Sequence, residues 1–226
     1  MTRNVTFAPG EFYHLYNRGT EKRKIFLNRQ DYERFLSLLY LANGMARVDI
    51  KRQGSTLSEL LTQDRDEKLV DICAYCLMPN HFHLIVRETK DYGISKFMQK
   101  LITGYTMYFN KAHERNGALL QGKFKSEHAN SDRYLNYLIA YLHLNPIKLF
   151  DPTWKEHGIK DQERAEKFLD DYVYSSFLDY SGYDRLEKSI LSLDALPAYT
   201  SIPKDFRSSI TEWFDGQGST LSMQQS

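Results

Sequence analysis

The stretch LVDICAYCLMPNHFHLIVRE, residues 69–88, decides how this chain is read. Residues 69–77 are an apolar run rich in strand formers, Met78-Pro79-Asn80 makes a turn, and HFHLIVRE (81–88) is a second strand. The two pair as a central antiparallel hairpin. Side chains two apart on a strand leave the same face. His81 and His83 therefore share a face, while Phe82, Leu84 and Val86 point the other way into a core. Two imidazoles side by side are half of a divalent-metal site. Taken alone, such a pair is more often two ordinary surface histidines.

Outward from the hairpin, EFYHLYNR (11–18) alternates and is rich in rings, so it reads as a first strand, followed by a basic loop GTEKRKIF. Asn28 caps a helix over 29–43, with Tyr32, Phe35, Leu36, Leu39 and Tyr40 at helical spacing. Residues 44–68 are polar, broken by Gly44 and Gly54, and read as an insertion with a short helix at 56–62. Beyond the hairpin, Asp91 opens a helix to about His113. ALLQGKFKSEHA is a loop with room for a short strand, and Asn130 or Ser131 caps a helix over 131–144 that Pro146 stops. The order predicts an α+β fold: an antiparallel sheet with helices on one face and the other face open. Residues 149–226 read as an appended region with short helices near 161–170 and 204–214 and a frayed polar end, GQGSTLSMQQS.

The helix at 131–144 gives the histidine pair its meaning. Tyr137, Tyr141 and Asn145 fall at i, i+4 and i+8, one stripe, beside an apolar stripe of Leu135, Leu138 and Leu142 that can seat the helix on the sheet. If the tyrosine stripe faces the histidines, the site holds two imidazoles, an amide oxygen and a phenol. A metal there polarises a phosphate, and the phenolate attacks phosphorus to form a covalent ester. Free tyrosine titrates near ~10, so it needs such help at neutral pH. Amphipathic core packing is the competing explanation for the tyrosines.

Composition narrows the classes. Of 226 residues, 42% are hydrophobic and 26% charged, which excludes a disordered chain. No apolar run approaches a membrane span, and the N-terminus lacks a secretory apolar core, so a cytoplasmic location is expected. The net charge of +1 conceals an asymmetry. Residues 1–148 carry 22 Lys+Arg against 15 Asp+Glu, and residues 149–226 carry 8 against 14. The basic part suits a polyanion, and 16 Tyr with 13 Phe suit stacking on unpaired bases. Cys73 and Cys76 form CxxC, but strand residues three apart point to opposite faces, so buried apolar cysteines are expected rather than a metal pair.

The words YHLYNRG (13–19), CLMPNHFHLIV (76–86), LLQGKFKS (119–126), YLIAYLHLNPIK (137–148) and DYVYSSFLDYSG (171–182) resemble the single-tyrosine HUH transposases, most closely the REP-associated tyrosine transposases. The resemblance implies a ferredoxin-like (RRM-like) catalytic domain over 1–148 and a metal-dependent endonuclease and strand transferase acting on single-stranded or hairpin DNA. It implies His81, His83 and Asn145 as metal ligands, Mg²⁺ or Mn²⁺ as the ion, and Tyr141 as the nucleophile, with Tyr137 the alternative. Neither a nucleotide cofactor nor a membrane partner is expected, and either a monomer or a homodimer that exchanges the tyrosine helix fits. Arg18, Lys22, Arg23 and Lys24 after the first strand, and Gln121, Lys123 and Lys125 in the QGKFKS loop, are candidate DNA contacts. Two other functions stay open: a DNA-binding module that keeps the fold without the reaction, and a metal phosphoesterase that makes no covalent tyrosine.

Overall fold

The computed structural model describes residues 6–46, 48, 56–65, 67–198, 206–207 and 210. The elements run β1 (Phe12–Arg18), α1 (Arg29–Leu41), α2 (Leu57–Leu61), β2 (Val70–Met78), β3 (His81–Glu88), α3 (Gly93–Ala112), β4 (Lys125–His128) and α4 (Asp132–Leu144). The sheet order is β2-β3-β1-β4, with every pair antiparallel. β1 thus lies inside the sheet between β3 and β4, the ferredoxin-like arrangement.

Local chemistry sets the helix ends. Asn28 and Asp31 form a reciprocal capping box at α1, and Ser131 accepts from the Tyr134 N–H at α4. α3 departs from expectation. It opens at Gly93 rather than at Asp91, with no side-chain cap from the preceding Tyr92. The buried carboxylate of Glu88, at the end of β3, accepts instead from the Ile94 N–H at 2.8 Å. Gly93 is required there, because a Cβ would lie 2.2 Å from the Leu69 carbonyl oxygen.

Two cores flank the sheet. On one face Phe35, Leu38 and Leu39 of α1 and Phe97, Leu101 and Tyr105 of α3 pack on Leu15, Phe82, Leu84 and Val86. The face expected to be open is covered along β2 and β3 by α4 and the chain that follows it. There Leu135, Leu138 and Leu142 pack with Met78, Ile85, Trp154 and Phe177. All nine residues of β2 are buried, as its unbroken apolar sequence requires of a strand covered on both sides.

The cysteines correct the strand-parity argument. A β-bulge between Ile72 and Ala74 shifts the alternation by one residue. Cys73, Ala74, Cys76 and Met78 therefore join one core, while Ile72, Tyr75 and Leu77 join the other. Both cysteines lie on the same face, buried and reduced, and burial pushes both thiols well up.

Beyond α4 the chain continues through a 3₁₀ turn (Asn145–Leu149), α5 (Trp154–His157), α6 (Gln162–Asp171), α7 (Phe177–Tyr180) and 3₁₀ turns at Leu186–Ile190 and Leu193–Ala195. α6 matches the helix expected at 161–170. Of the helix expected at 204–214, only Phe206, Arg207 and Ile210 are described, and the polar end lies outside the described residues. Within 44–68 the short helix is present as α2, while 47, 49–55 and 66 lie outside the described residues.

Arg185 ties this region to β2. Its guanidinium donates to Asp179 at 2.5 and 2.9 Å, to the Tyr75 hydroxyl at 2.9 Å and to the Ser175 carbonyl at 2.6 Å. Arg185→Ala would leave the Asp179 carboxylate buried and unpaired, at a cost of about 3–5 kcal/mol. Chemical denaturation should register that loss, and a change below about 1 kcal/mol would contradict the clamp.

Candidate active site

The register of the sheet assembles the site. His81 and His83 of β3 share a face with Ile85, opposite Phe82, Leu84 and Val86, as strand parity predicts. Across β1, His81 pairs with Arg18 and His83 with Tyr16. One strand further, Tyr16 pairs with Lys125 and His14 with Glu127. α4 crosses this face over β2 and β3.

That packing brings the tyrosine stripe to the histidines. The rings of His81 and His83 lie 4.9 Å apart at 89°, and the Tyr141 ring stands edge-on to His83 at 5.9 Å. Asn145 raises the His81 pKa and lowers that of Tyr141, opposing burial at both. Asn145 is 2% exposed, and its Oδ1 is buried without a hydrogen-bond partner. Tyr137 stacks on Tyr141 at 6.1 Å on the side toward Tyr134, one turn back along the helix.

Each histidine is held through one nitrogen. His81 Nδ1 lies 2.6 Å from Asn80 Oδ1, and His83 Nδ1 lies 2.8 Å from His14 Nε2. In each ring Nε2 is the atom these bonds leave over. Burial, with Lys148 adding to it, lowers the His81 pKa to about 4. Burial and the neighbouring histidines push His83 well below the usual range. Both imidazoles are thus neutral at pH 7, the form that ligates a metal. Burial raises the Tyr141 pKa, opposed by Lys155 and by Asn145. The Lys155 ammonium sits 5.0 Å from the Tyr141 ring centre.

The two candidate DNA loops meet at the same end of the sheet. Arg18 Nε donates to Gln121 Oε1 at 2.5 Å, and the Gln121 N–H donates to the Arg18 carbonyl at 2.8 Å. The loop of Lys22, Arg23 and Lys24 is pinned to the hairpin turn by Asn80 Nδ2 donating to the Lys22 carbonyl at 3.3 Å and by the Ile25 N–H donating to the Pro79 carbonyl at 2.8 Å. Arg23 also pairs with Glu21 at 3.2 Å. Lys123 is exposed, and Lys125 reaches over the Tyr16 ring at 6.0 Å.

Three residues around the site were not singled out from sequence: Glu127, Lys148 and Lys155. His14 and Glu127 become neighbours only through the β1–β4 register, and the two lysines come from the chain beyond α4. His143, two residues after Tyr141, points away from the site. It bonds the Ile139 carbonyl and Ser176 Oγ, each at 2.8 Å. Among the described residues no cluster of three or more His, Cys, Asp or Glu could hold a metal.

A family model described as "Transposase IS200 like" matches residues 12–145, and the chain belongs to that family. The matched span runs from the start of β1 to Asn145. The solved structure of a REP-associated tyrosine transposase bound to a REP hairpin resembles this chain with a TM-score of 0.50, at 12% identity, over 83% of this chain and 90% of that one. That likeness is one of fold. Comparison with curated proteins returns no match. Among the described residues no helix is long and apolar enough to cross a membrane.

Proposed function

We propose that the protein is a transposase that cleaves single-stranded DNA at hairpin-forming repeats through a 5′-phosphotyrosine on Tyr141. The observation that carries this reading is the convergence of Tyr141, the two neutral histidines and the unpartnered Asn145 oxygen on one sheet face. The hairpin carried by the structurally similar transposase supports the DNA class.

The donor set fits a divalent cation. The Nε2 atoms of His81 and His83 and the orphaned Asn145 Oδ1 would hold Mg²⁺ or Mn²⁺, the histidines favouring Mn²⁺. Bound there, the ion would polarise the scissile phosphate and spread the charge of the transition state. Tyr141 loses its phenolic proton and its oxygen bonds to phosphorus as the P–O3′ bond breaks. The departing O3′ takes up a proton, leaving a free 3′-OH and a 5′-phosphotyrosine. The ester keeps the energy of the broken bond, so a 3′-OH can reseal it. Lys155 and the Asn145 amide favour the phenolate against the effect of burial. Tyr141 lies beside the histidines of its own chain, which supports a monomer acting in cis.

Incubating the protein with a hairpin DNA pool and Mn²⁺ should yield 3′-OH fragments whose 5′ ends stay attached to protein. Metal-dependent fragments with free 5′-phosphates would instead favour a phosphoesterase, and retained binding without cleavage a DNA-binding module. The basic loops carry a separate prediction. The triple variant Arg18→Ala, Lys123→Ala, Lys125→Ala should reduce the slope of log K against log salt by about 2, at about 0.7 per lost phosphate contact on a single strand. An unchanged slope in fluorescence anisotropy would remove these residues from the DNA path.

A further inference from the structure

Behind His83 stands a second polar layer. His14 is 5% exposed, and its Nε2 lies 2.8 Å from His83 Nδ1, with the two rings 22° from parallel. Its other nitrogen, Nδ1, faces Glu127 Oε2 at 3.7 Å and has no hydrogen-bond partner. Glu127 accepts from the Tyr16 hydroxyl at 2.7 Å and from the Tyr134 hydroxyl at 3.1 Å. Those two phenols come from β1 and α4, so the carboxylate joins the sheet to the nucleophile helix.

The carboxylate facing His14 orients the hydrogen bonds of this layer. An ionised carboxylate only accepts, and Glu127 is kept ionised, its pKa lowered to about 2 by His14 with Tyr16 and Tyr134 adding to it. The nitrogen of His14 that faces it is therefore the one that carries the proton. In a neutral imidazole the other nitrogen is then an acceptor. With His14 neutral, its Nε2 accepts, His83 Nδ1 donates, and the lone pair of His83 is left on Nε2. We infer that His14 and Glu127 are positioning residues that fix the tautomer and ring orientation of His83, so that its Nε2 lone pair faces the cation site. This rests on the metal reading proposed above.

The tautomer can be read without metal or DNA. Long-range ¹H–¹⁵N correlation of the histidine rings should show His83 protonated on Nδ1 in the wild type. In His14→Ala it should shift toward the Nε2–H form. Manganese affinity, measured by electron paramagnetic resonance, should weaken by about 10–100-fold in His14→Ala. His14→Gln places an amide oxygen near the lost acceptor and should recover most of that affinity. Glu127→Gln replaces the carboxylate that faces His14 by a neutral amide of the same size and provides the same comparison should His14→Ala fail to fold. Hairpin binding in EDTA should be unchanged in all three.

Wild-type His83 protonated on Nε2 would overturn the inference, as would unchanged tautomer and manganese affinity in both His14→Ala and Glu127→Gln. A wild type with the Nδ1–H tautomer that takes up no Mn²⁺ would leave the relay supported and overturn the metal assignment instead. The two failures are therefore distinguishable.

Discussion

Tyr141→Phe is expected to abolish the covalent DNA adduct while leaving hairpin binding within a few-fold of wild type. The substitution removes one oxygen and keeps the ring. That ring makes the packing contacts seen here, at 6.1 Å from Tyr137, 6.5 Å from Trp154 and edge-on to His83. No hydroxyl on another residue in the stripe is equivalent. Tyr137 is 7% exposed and lies one turn back along α4, and the phenol of Tyr16 is committed to Glu127 at 2.7 Å. Burial together with that bond pushes Tyr16 well above its usual range. Losing the Tyr141 hydroxyl should change stability by no more than about 1 kcal/mol, the ordinary net worth of one hydrogen bond. An adduct that persists in Tyr141→Phe and disappears in Tyr137→Phe would move the nucleophile one turn back.

The second large effect concerns the histidines, and the two should not behave alike. Replacing either by alanine removes a nitrogen donor and should lower metal-dependent cleavage by at least about 10²-fold, the scale of losing one aimed electrostatic group. His83 is 7% exposed and bonded to His14, so His83→Ala also leaves a buried imidazole nitrogen without its partner. That adds about 1–3 kcal/mol of destabilisation. His81 is only half-buried, and its bonded partner Asn80 is half-exposed, so His81→Ala should lose activity with little change in melting temperature. Cleavage assays paired with thermal melts separate the two. Equal stability losses would contradict the buried link from His83 to β1.

The parts of the fold legible in the sequence were those with local signals. The Pro79-Asn80 turn, the alternation of β3 and the caps at Asn28 and Ser131 each act within a few residues, and each element appears where its signal stood. The stripe of Tyr137, Tyr141 and Asn145 was equally readable, because helical spacing alone aligns those three. What escaped reading depended on partners distant in sequence. The bulge at Ile72 and Ala74 reversed the parity of Cys73 relative to Cys76, and nothing in VDICAYCLM marks it. The second core was foreshadowed by the unbroken apolar character of that strand, but what covers it is α4 and the chain beyond it, far downstream. Glu88 as the cap of α3, and Glu127 behind His14, arise from contacts between segments far apart in the chain.

The central claim is that one tyrosine and one metal site act together on DNA. Its most direct measurement is a denaturing gel of the protein with 3′-labelled hairpin DNA, in Mn²⁺ and in EDTA, followed by mass mapping of the peptide in any shifted band. A band should be present only with Mn²⁺, carrying DNA through its 5′-phosphate on the peptide that contains Tyr141. A band that forms equally in EDTA, or DNA attached at any other residue, would contradict it.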